Sequence, residues 1–402
     1  MSPHRSERPL RSDSGSGFGR RSFVGSLGAG VLGAAVLGSG AAAAQAAPAP
    51  FPGRRGAAEL RPAFLGTYGS GIITCTYDTA TGALTKKSTF AAVTDPSFLA
   101  LAPSGKVLYA LDNARREGAV RAFAIGAGGR LTALGQAQST GGANVTHLSV
   151  HPSGRYVLSA NYGAGSVAAN VVNSDGSVGA RTSVVQHVGS GPDPSRQEGP
   201  HAHQILTDPK GAFVFAVDLG TDKVYTYRLD NGVLRPVSEV KSVPGAGPRH
   251  MVFHPTAPYA YVANELDSTI TVCPYNPATG VLTRGASQPT LPDGTNPGTR
   301  NYPSEVVVSP DGRFVYLSNR GHESIARFAV ADGGATLRLL DTIKCGGSWP
   351  RHISLSPRGN LLFSGNQYGN TVGTFTVDTA TGALAASGAP FNTVSLGCVL
   401  PI

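Results

Sequence analysis

The stretch GPRHMVFHPTAPYAYVANELDSTITVCPYN, residues 247–276, contains one copy of the unit that decides the fold. It opens with a short apolar run, turns at His254-Pro255, and continues in a second run, Tyr259–Asn264, rich in aromatic and β-branched residues. A Ser-containing turn then leads to a third run at 270–274. Short runs of this composition, separated by turn residues, indicate β-strands.

The same unit recurs along the chain from residue 62 onward. Its turn prolines are separated by 49, 57, 46, 55 and 47 residues. A period near 50 residues with four strands per unit is the signature of propeller blades. The turn prolines are Pro103, Pro152, Pro209, Pro255, Pro310 and Pro357. The second strands fall at Val107–Asp112, Tyr156–Asn161, 213–218, Tyr259–Asn264, 314–319 and Leu361–Asn366.

The two ends of the repeat region are incomplete in complementary ways. The piece beginning at Ala63 supplies only a second, third and fourth strand, and residues 393–399 form a lone apolar strand. Joined as one composite blade they close the ring, which removes an exposed sheet edge. The sequence therefore predicts an all-β, seven-bladed β-propeller over residues 62–402.

The residues before the propeller indicate export. Arg20-Arg21 precedes a Gly/Ala-rich apolar stretch that ends in the A-x-A pattern of residues 44–46. This pattern is typical of a twin-arginine signal peptide, and an uncleaved membrane anchor is the alternative. We expect residues 1–46 to be the signal, 47–61 a flexible linker, and the protein to be secreted or held in the cell envelope without stable membrane insertion after cleavage.

Composition excludes several classes of function. The net charge is +9, of which five arginines against two acidic residues in 1–46 contribute +3. The remaining Lys and Arg are scattered, without the basic stripe of a nucleic-acid surface. The four cysteines show no metal-ligand spacing, so we expect free, strand-buried thiols. We expect a monomer with no metal, cofactor or nucleic-acid partner.

Candidate functional residues emerge when the blades are compared with one another. Structural positions repeat from blade to blade, whereas two positions facing the predicted axial channel carry varied, ionisable side chains. The start of the innermost strand gives Ser97, Thr146, His201, Arg249, Ser304 and Arg351. The residue after the second strand gives Tyr68, Asn113, Tyr162, Leu219, Glu265, Arg320 and Gln367.

These side chains suit the opening of a lactone ring. Histidine is the side chain most often used for acid–base catalysis, so His201 is the predicted general base or proton shuttle. Arg249 and Arg320 offer bidentate donors to an anionic substrate group and to developing negative charge. Glu265 either stays ionised beside an arginine or, if desolvated, acts as the acid.

Other interpretations stay open for several residues. The alternative for Arg249 and Glu265 is an ion pair that locks two blades, and the alternative for His203 is a packing residue or one that supports the residues in contact with substrate. His147, His250 and His352 share one repeated position, which favours a structural role. His201-x-His203 is a weak metal signal. Candidate substrate-binding residues are His203, Arg351, Glu305, Tyr162 and Trp349, the last as a wall of the channel mouth.

Four stretches, residues 199–230, 247–276, 302–328 and 349–372, resemble the lactonase family. This family includes propeller-type 6-phosphogluconolactonases and 3-carboxy-cis,cis-muconate lactonising enzymes. The resemblance covers about residues 62–402 and rests on Pro-His-x-His, Gly-Pro-Arg-His, Asn-Glu and Ser-Asn-Arg motifs. It implies a catalytic set that falls on His201, Arg249, Glu265 and Arg320, without a metal or cofactor.

The expected activity is therefore hydrolysis of a lactone, or lactonisation, with an anionic sugar-acid or aromatic-derived substrate. A non-catalytic propeller that binds a ligand or protein outside the cytoplasm is the main alternative, because propellers also serve as scaffolds. A quinone- or haem-dependent oxidoreductase lacks any cofactor signature. An exported enzyme would rarely meet the cytosolic, phosphorylated substrate of the phosphogluconolactonases.

Overall fold

The structure, a computed structural model, describes residues 58–402 apart from residues 70, 115, 297 and 299. Within this part of the chain there are thirty β-strands, two short 3-10 turns at Ala127–Gly129 and Asp332–Gly334, and no α-helix. None of the described segments is a helix with the length and hydropathy needed to cross a bilayer. The predicted signal, residues 1–46, and most of the predicted linker lie outside the described residues.

The strands form seven antiparallel sheets, which confirms the seven-bladed propeller. The innermost strands are β4 (Leu99–Leu101), β8 (Val145–Val150), β12 (Ala202–Thr207), β16 (Pro248–Phe253), β21 (Tyr302–Val308), β25 (Pro350–Leu355) and β30 (Leu396–Pro401). Second strands are β1 (Leu60–Thr67), β5 (Val107–Asp112), β9 (Tyr156–Asn161), β13 (Val214–Asp218), β17 (Tyr259–Asn264), β22 (Phe314–Arg320) and β26 (Leu361–Asn366).

Third strands are β2 (Ile72–Asp78), β6 (Ala119–Ile125), β10 (Ser166–Val172), β14 (Lys223–Asp230), β18 (Thr269–Asn276), β23 (Ser324–Ala331) and β27 (Thr371–Val377). Outer strands are β3 (Leu84–Phe90), β7 (Leu131–Ser139), β11 (Val178–Gln186), β15 (Val233–Lys241), β19 (Val281–Leu282), β20 (Ser287–Pro289), β24 (Thr336–Lys344), β28 (Leu384–Ala386) and β29 (Phe391–Asn392). The innermost strands contact one another in a closed cycle, β4–β8–β12–β16–β21–β25–β30 and back to β4.

One blade is composite, as expected from the incomplete ends of the repeat. β1 pairs with β2 on one side and with β30 on the other, so that Ala63 lies opposite Pro401. Two boundaries differ from the sequence interpretation. β1 begins at Leu60, inside the predicted linker, because Leu60 and Arg61 already pair with β2. The closing strand covers 396–401 rather than 393–399, since pairing with β1 fixes its register.

The hydrophobic core lies between neighbouring blades. One cluster joins the second strand β13 to β16, where Phe215 and Phe253 meet edge to face with ring centroids 5.0 Å apart. All four cysteines are free and buried, as predicted. Three lie in strands, and Cys345 follows β24. Burial raises the pKa of Cys398 to about 12, which keeps its thiol protonated.

The innermost strands share an irregularity at their first residues. In β8, β12, β16, β21, β25 and β30 the register with the second strand shifts by a β-bulge. A bulge inserts an unpaired residue and changes the direction of its side chain. The residues at the shift are Thr146, His203, Arg249, Ser304 together with Glu305, Arg351 and Gly397.

Candidate active site

The bulges bring side chains from most blades to one axial cavity. It has about 240 Å³ of empty space, part of it open to solvent, and is so narrow that it admits roughly one water molecule. Polar and aromatic groups dominate its lining. The lining residues are Tyr68, Ser97, Phe98, Thr146, His203, Arg249, His250, Glu305, Arg351, His352 and Gly397.

Glu265, just after β17, is the centre of an arginine cluster that borders this cavity. One carboxylate oxygen accepts a hydrogen bond from Arg196 at 2.6 Å, and the other accepts one from Arg320 at 2.6 Å. Nε of Arg249 lies 3.2 Å from the second oxygen without forming a hydrogen bond. We call Arg196, Arg249, Glu265 and Arg320 the arginine cluster.

The charges of the cluster set its protonation states. Burial opposes ionisation of Glu265, but Arg320, Arg196 and Arg249 together hold its pKa below the usual range. Burial, followed by the charges of Arg320 and Arg351, lowers the pKa of Arg249 to about 9. Glu265 is therefore ionised and held by arginines, which favours the ion-pair interpretation over the acid role.

An aromatic wall stands beside Arg320. The Arg320 guanidinium lies over Trp349 at 5.5 Å and over Tyr302 at 5.9 Å. Trp349 also stacks on Tyr368, with centroids 5.0 Å apart. The backbone of Trp349 adopts a left-handed φ of 65°, and the backbone N–H of Trp349 donates a hydrogen bond to the Glu323 carboxylate. The indole Nε1 of Trp349 is buried and makes no hydrogen bond to any described residue.

A second carboxyl group, Glu305 of β21, lies among histidines. His250 Nδ1 is 3.0 Å from both carboxyl oxygens, and His352 Nε2 is 3.5 Å from one of them. The other ring nitrogen of His250, Nε2, is 3.1 Å from Nδ1 of His203. We call the chain of contacts Glu305–His250–His203 the histidine relay.

Burial decides the charge states in this second group. It raises the pKa of Glu305, against the opposing charges of His352 and Arg249. It lowers the pKa of His352 to about 4, although Glu305 acts in the other direction. It also depresses the pKa of His203 and His250 well below 6.5, with Arg249 adding to the effect. These histidines are neutral near pH 7.

The assignment of His201 to the channel-lining position is wrong. His201 precedes β12, and the shift in register between Ala202 and Gln204 falls on His203. The His201 ring stacks on Tyr162 at 4.4 Å and bonds to the Tyr162 carbonyl and to Glu198. It does not line the axial cavity. Tyr162 in turn meets His203 edge to face at 5.6 Å, so it separates the two histidines.

The structural interpretation of the repeated histidines is also too narrow. His250 and His352 line the cavity and contact Glu305, whereas His147 packs against Phe98 with ring centroids 4.2 Å apart. Glu305 and Arg351 lie in the cavity wall, as expected for substrate-binding candidates. Among the described residues, no group of three or more His, Cys, Asp or Glu is arranged to hold a metal ion.

Sequence reasoning missed Arg196. It lies in the connection between β11 and β12, which no other blade repeats, so the comparison of blades gave no signal for it. The Gln197 side chain anchors this connection by accepting from the Asp193 amide and donating to the Leu219 carbonyl. This anchoring places Arg196 against Glu265.

Comparison with known proteins adds an independent line. The model of the family described as "Lactonase, 7-bladed beta-propeller" matches residues 62–401. A 6-phosphogluconolactonase of Bacillus subtilis is 36% identical over 326 residues, covering 80% of this chain and 92% of that protein. The structure of a periplasmic gluconolactonase of Pseudomonas aeruginosa superposes with a TM-score of 0.79 at 28% identity, covering 86% of this chain and 99% of the other. A Lactobacillus plantarum protein gives a TM-score of 0.80 at 31% identity, covering 86% and 100%.

Proposed function

The chain belongs to the lactonase family of seven-bladed β-propellers, and we propose that it hydrolyses the lactone of a sugar acid that carries a negative charge. Membership makes the chain a lactone-opening carboxylic-ester hydrolase. The charge balance around the axial cavity supports the anionic substrate.

Four guanidinium groups meet two carboxyl groups at this site. Arg196, Arg249 and Arg320 surround Glu265, and Arg351 lines the same cavity as Glu305. Even with both carboxyls ionised, positive charge remains in excess within a largely buried region. An excess of buried positive charge is unfavourable, so the arginine cluster, with three guanidinium groups around one carboxylate, attracts an anion. This excess is the observation that carries the proposal.

Two buried donors without hydrogen-bond partners among the described residues lie beside this charge. They are Nε1 of Trp349 and Nε of Arg249, the latter in ion-pair contact with Glu265 at 3.2 Å but without a directed hydrogen bond. A buried donor that is left unsatisfied costs about 1–3 kcal/mol, which a substrate oxygen would recover. Arg249 is well suited to the lactone carbonyl, since donors aimed at an oxyanion stabilise the transition state of acyl transfer.

We also propose that the enzyme acts outside the cytoplasm. The paired arginines and the A-x-A pattern of residues 1–46 support export. The similarity to a protein named as a periplasmic gluconolactonase is consistent with it. In that location a carboxylated sugar lactone is a more accessible substrate than a phosphorylated one.

The test is a panel of lactones assayed by proton release and corrected for spontaneous hydrolysis. It contains 6-phosphogluconolactone, glucarolactone, neutral gluconolactone, a muconolactone and a homoserine lactone. We expect kcat/KM for an anionic sugar lactone to exceed that for neutral gluconolactone by at least about tenfold, which corresponds to about 1.4 kcal/mol. The exposed variant Arg313→Ala serves as the control and should keep this ratio.

Two outcomes would contradict the proposal. Faster turnover of the neutral lactone would overturn the anionic substrate while leaving the family activity intact. Absence of turnover on every lactone, together with thermal stabilisation by an unreactive sugar acid, would instead support a propeller that binds without catalysis.

A further inference from the structure

The histidine relay is a continuous hydrogen-bonded chain from a buried carboxyl group to the wall of the axial cavity. Its two contacts, 3.0 Å from Glu305 to His250 and 3.1 Å from His250 to His203, are within hydrogen-bond range. Each histidine comes from a different blade, β12 for His203 and β16 for His250, and Glu305 comes from β21. The three side chains meet because the innermost strands of these neighbouring blades face the same axis.

The protonation of Glu305 dictates the tautomers of both rings. A carboxylate only accepts, so His250 Nδ1 must carry a proton and, in a neutral ring, Nε2 must be an acceptor. His203 then donates from Nδ1, which leaves its Nε2 with a free lone pair. If Glu305 is protonated instead, its O–H can donate to His250 Nδ1, and every donor and acceptor along the chain can then be reversed.

We propose that the histidine relay activates the hydrolytic water, with Nε2 of His203 as the general base and Glu305 as the group that stores the proton. This assignment rests on the proposed lactonase function and replaces His201 with His203 as the base. His250 and Glu305 are positioning residues, because they act on the water through His203.

The reaction balances without any additional reactant. The water oxygen bonds to the lactone carbonyl carbon while one water proton moves to Nε2 of His203. The Nδ1 proton of His203 passes to His250, and the Nδ1 proton of His250 passes to Glu305. When the bond from the carbonyl carbon to the ring oxygen breaks, the protons return and the leaving alkoxide becomes a hydroxyl group.

Other charged and titratable groups surround the carboxyl group of Glu305. His250 and Arg249 face Glu305 from β16, His352 from β25 and Cys398 from β30. Arg351 of β25 and His203 of β12 line the same cavity. The neutral histidines and the protonated thiol add no charge near pH 7, so burial opposes ionisation of Glu305 and the arginines favour it. A carboxyl group in this balance exchanges a proton more readily than Glu265.

The first experiment does not depend on turnover. Long-range ¹H–¹⁵N spectra of wild-type protein labelled with ¹⁵N at histidine give the tautomer of each ring. At pH 8 we expect both His203 and His250 to be protonated at Nδ1 and unprotonated at Nε2. Protonation of both rings at Nε2 would overturn the relay whether or not a substrate has been found.

The second experiment compares Glu305→Gln with Glu305→Asp on the lactone that the wild type hydrolyses. Gln preserves size and hydrogen bonding but cannot store a proton, whereas Asp is shorter and can. We expect Glu305→Gln to lose about 10²–10⁴-fold in kcat with KM within about threefold, and Glu305→Asp to recover at least about tenfold of that loss. The acid limb of the wild-type kcat profile should also disappear in Glu305→Gln.

A purely structural Glu305 gives the opposite order, with Gln at least as active as Asp, and that result would overturn the proposal. His147→Gln is the matched control, because His147 is equally buried among these rings but lies outside the relay. We expect it to keep kcat within about threefold. If no lactone is turned over, the proposed function fails while the tautomer measurement still decides the relay.

Discussion

Glu265 and Glu305 are both buried, on neighbouring blades, and each contacts Arg249 or the histidine next to it in β16. Their partners differ in kind. Glu265 is held by guanidinium groups that remain charged, and its pKa is lowered. Glu305 is held by neutral imidazoles, and its pKa is raised. One strand, β16, therefore separates two carboxyl groups with opposite titration behaviour.

This difference in surroundings explains how one cavity can both bind an anion and transfer a proton. When the surroundings of two carboxyl groups give them different pKa values, the two groups commonly have different roles in catalysis. The ionised Glu265 fixes three arginines in place and so maintains a positively charged region beside the cavity. Glu305, whose ionisation is opposed by burial, is suited to exchange protons.

The largest expected effect that sharpens this contrast is on stability. Glu265→Gln leaves two buried guanidinium groups, Arg249 and Arg320, and the partly exposed Arg196 without their shared anion, so we expect a loss of about 3–5 kcal/mol in the free energy of unfolding. Glu305→Gln should lose about 1 kcal/mol or less, because a neutral amide still bonds to His250. Urea unfolding at pH 8 measures both.

The control for this stability measurement is Asp341→Asn, which breaks an exposed ion pair with Arg327 and should change stability by less than about 1 kcal/mol. Wild-type stability from Glu265 should be present above about pH 4.5 and lost as the pH falls, since its folded pKa is lowered. Equal losses of unfolding free energy in Glu265→Gln and Glu305→Gln would contradict the different roles assigned to the two carboxyl groups.

The next effect concerns substrate charge. Arg320→Lys keeps a positive charge near Glu265 but removes the planar fork that stacks on Trp349. We expect kcat/KM for an anionic lactone to fall about 10–100-fold, equivalent to about 1.4–2.7 kcal/mol, and less for a neutral lactone. Steady-state kinetics on the two lactones measure this, and equal losses on both would separate the arginine cluster from anion binding.

A third effect tests the neutral histidines. Below about pH 6.5 the unfolded chain takes up protons that the buried ring of His147 excludes, so stability falls as the pH falls. Each such histidine contributes up to about 1.4 kcal/mol per pH unit. His147→Gln should reduce the slope of stability against pH by that amount between pH 6.5 and 5. At pH 8, where histidine is neutral in both states, the slopes should coincide.

The smallest expected effect is at the aromatic wall. Trp349→Phe keeps a ring over Arg320 and removes the unpartnered indole N–H. We expect stability to change by less than about 1 kcal/mol and KM to rise about threefold, because one donor to the substrate is lost. An unchanged KM would show that the substrate does not reach this wall.

Much of the architecture was predictable because it repeats. The turn prolines and the strands between them, such as Tyr259–Asn264 and Leu361–Asn366, recur at nearly constant spacing and have the same bounds in the structure. The composite blade followed from the missing strands at the two ends. The chain cannot repeat a blade without also repeating its apolar pattern and turns, so this information is visible in one sequence.

The error at His201 has a specific cause. In two blades a proline stands directly before the bulged residue, as in Pro248-Arg249 and Pro350-Arg351. In the blade that contains His203, Ala202 stands directly before the bulged residue, and the nearest proline, Pro200, comes two residues earlier. The distance to the turn proline identifies the bulged residue, His203, in this blade as in the others. Ser97, Thr146, His203, Arg249, Ser304 and Arg351 each lie six residues before the turn proline of their blade.

The pairing of side chains across blades was harder to predict. Glu305 contacts His250 only through the three-dimensional register of two sheets, and Arg196 reaches Glu265 from an unrepeated connection. Neither contact has a counterpart in sequence spacing. Charge states depend on burial as well, which is why Glu265 and Glu305 cannot be told apart from the sequence alone.

The closure of the ring by β30 has a consequence for biosynthesis. Six blades can be assembled in order as the chain is made, but β1 obtains its inner partner only after residues 396–401 have been synthesised. The entropic cost of closing a loop rises slowly with its length, by about 0.6 kcal/mol for each doubling, so even this long closure is affordable in free energy. Assembly of the cavity, to which Gly397 contributes, is therefore completed only after this last strand has joined the ring.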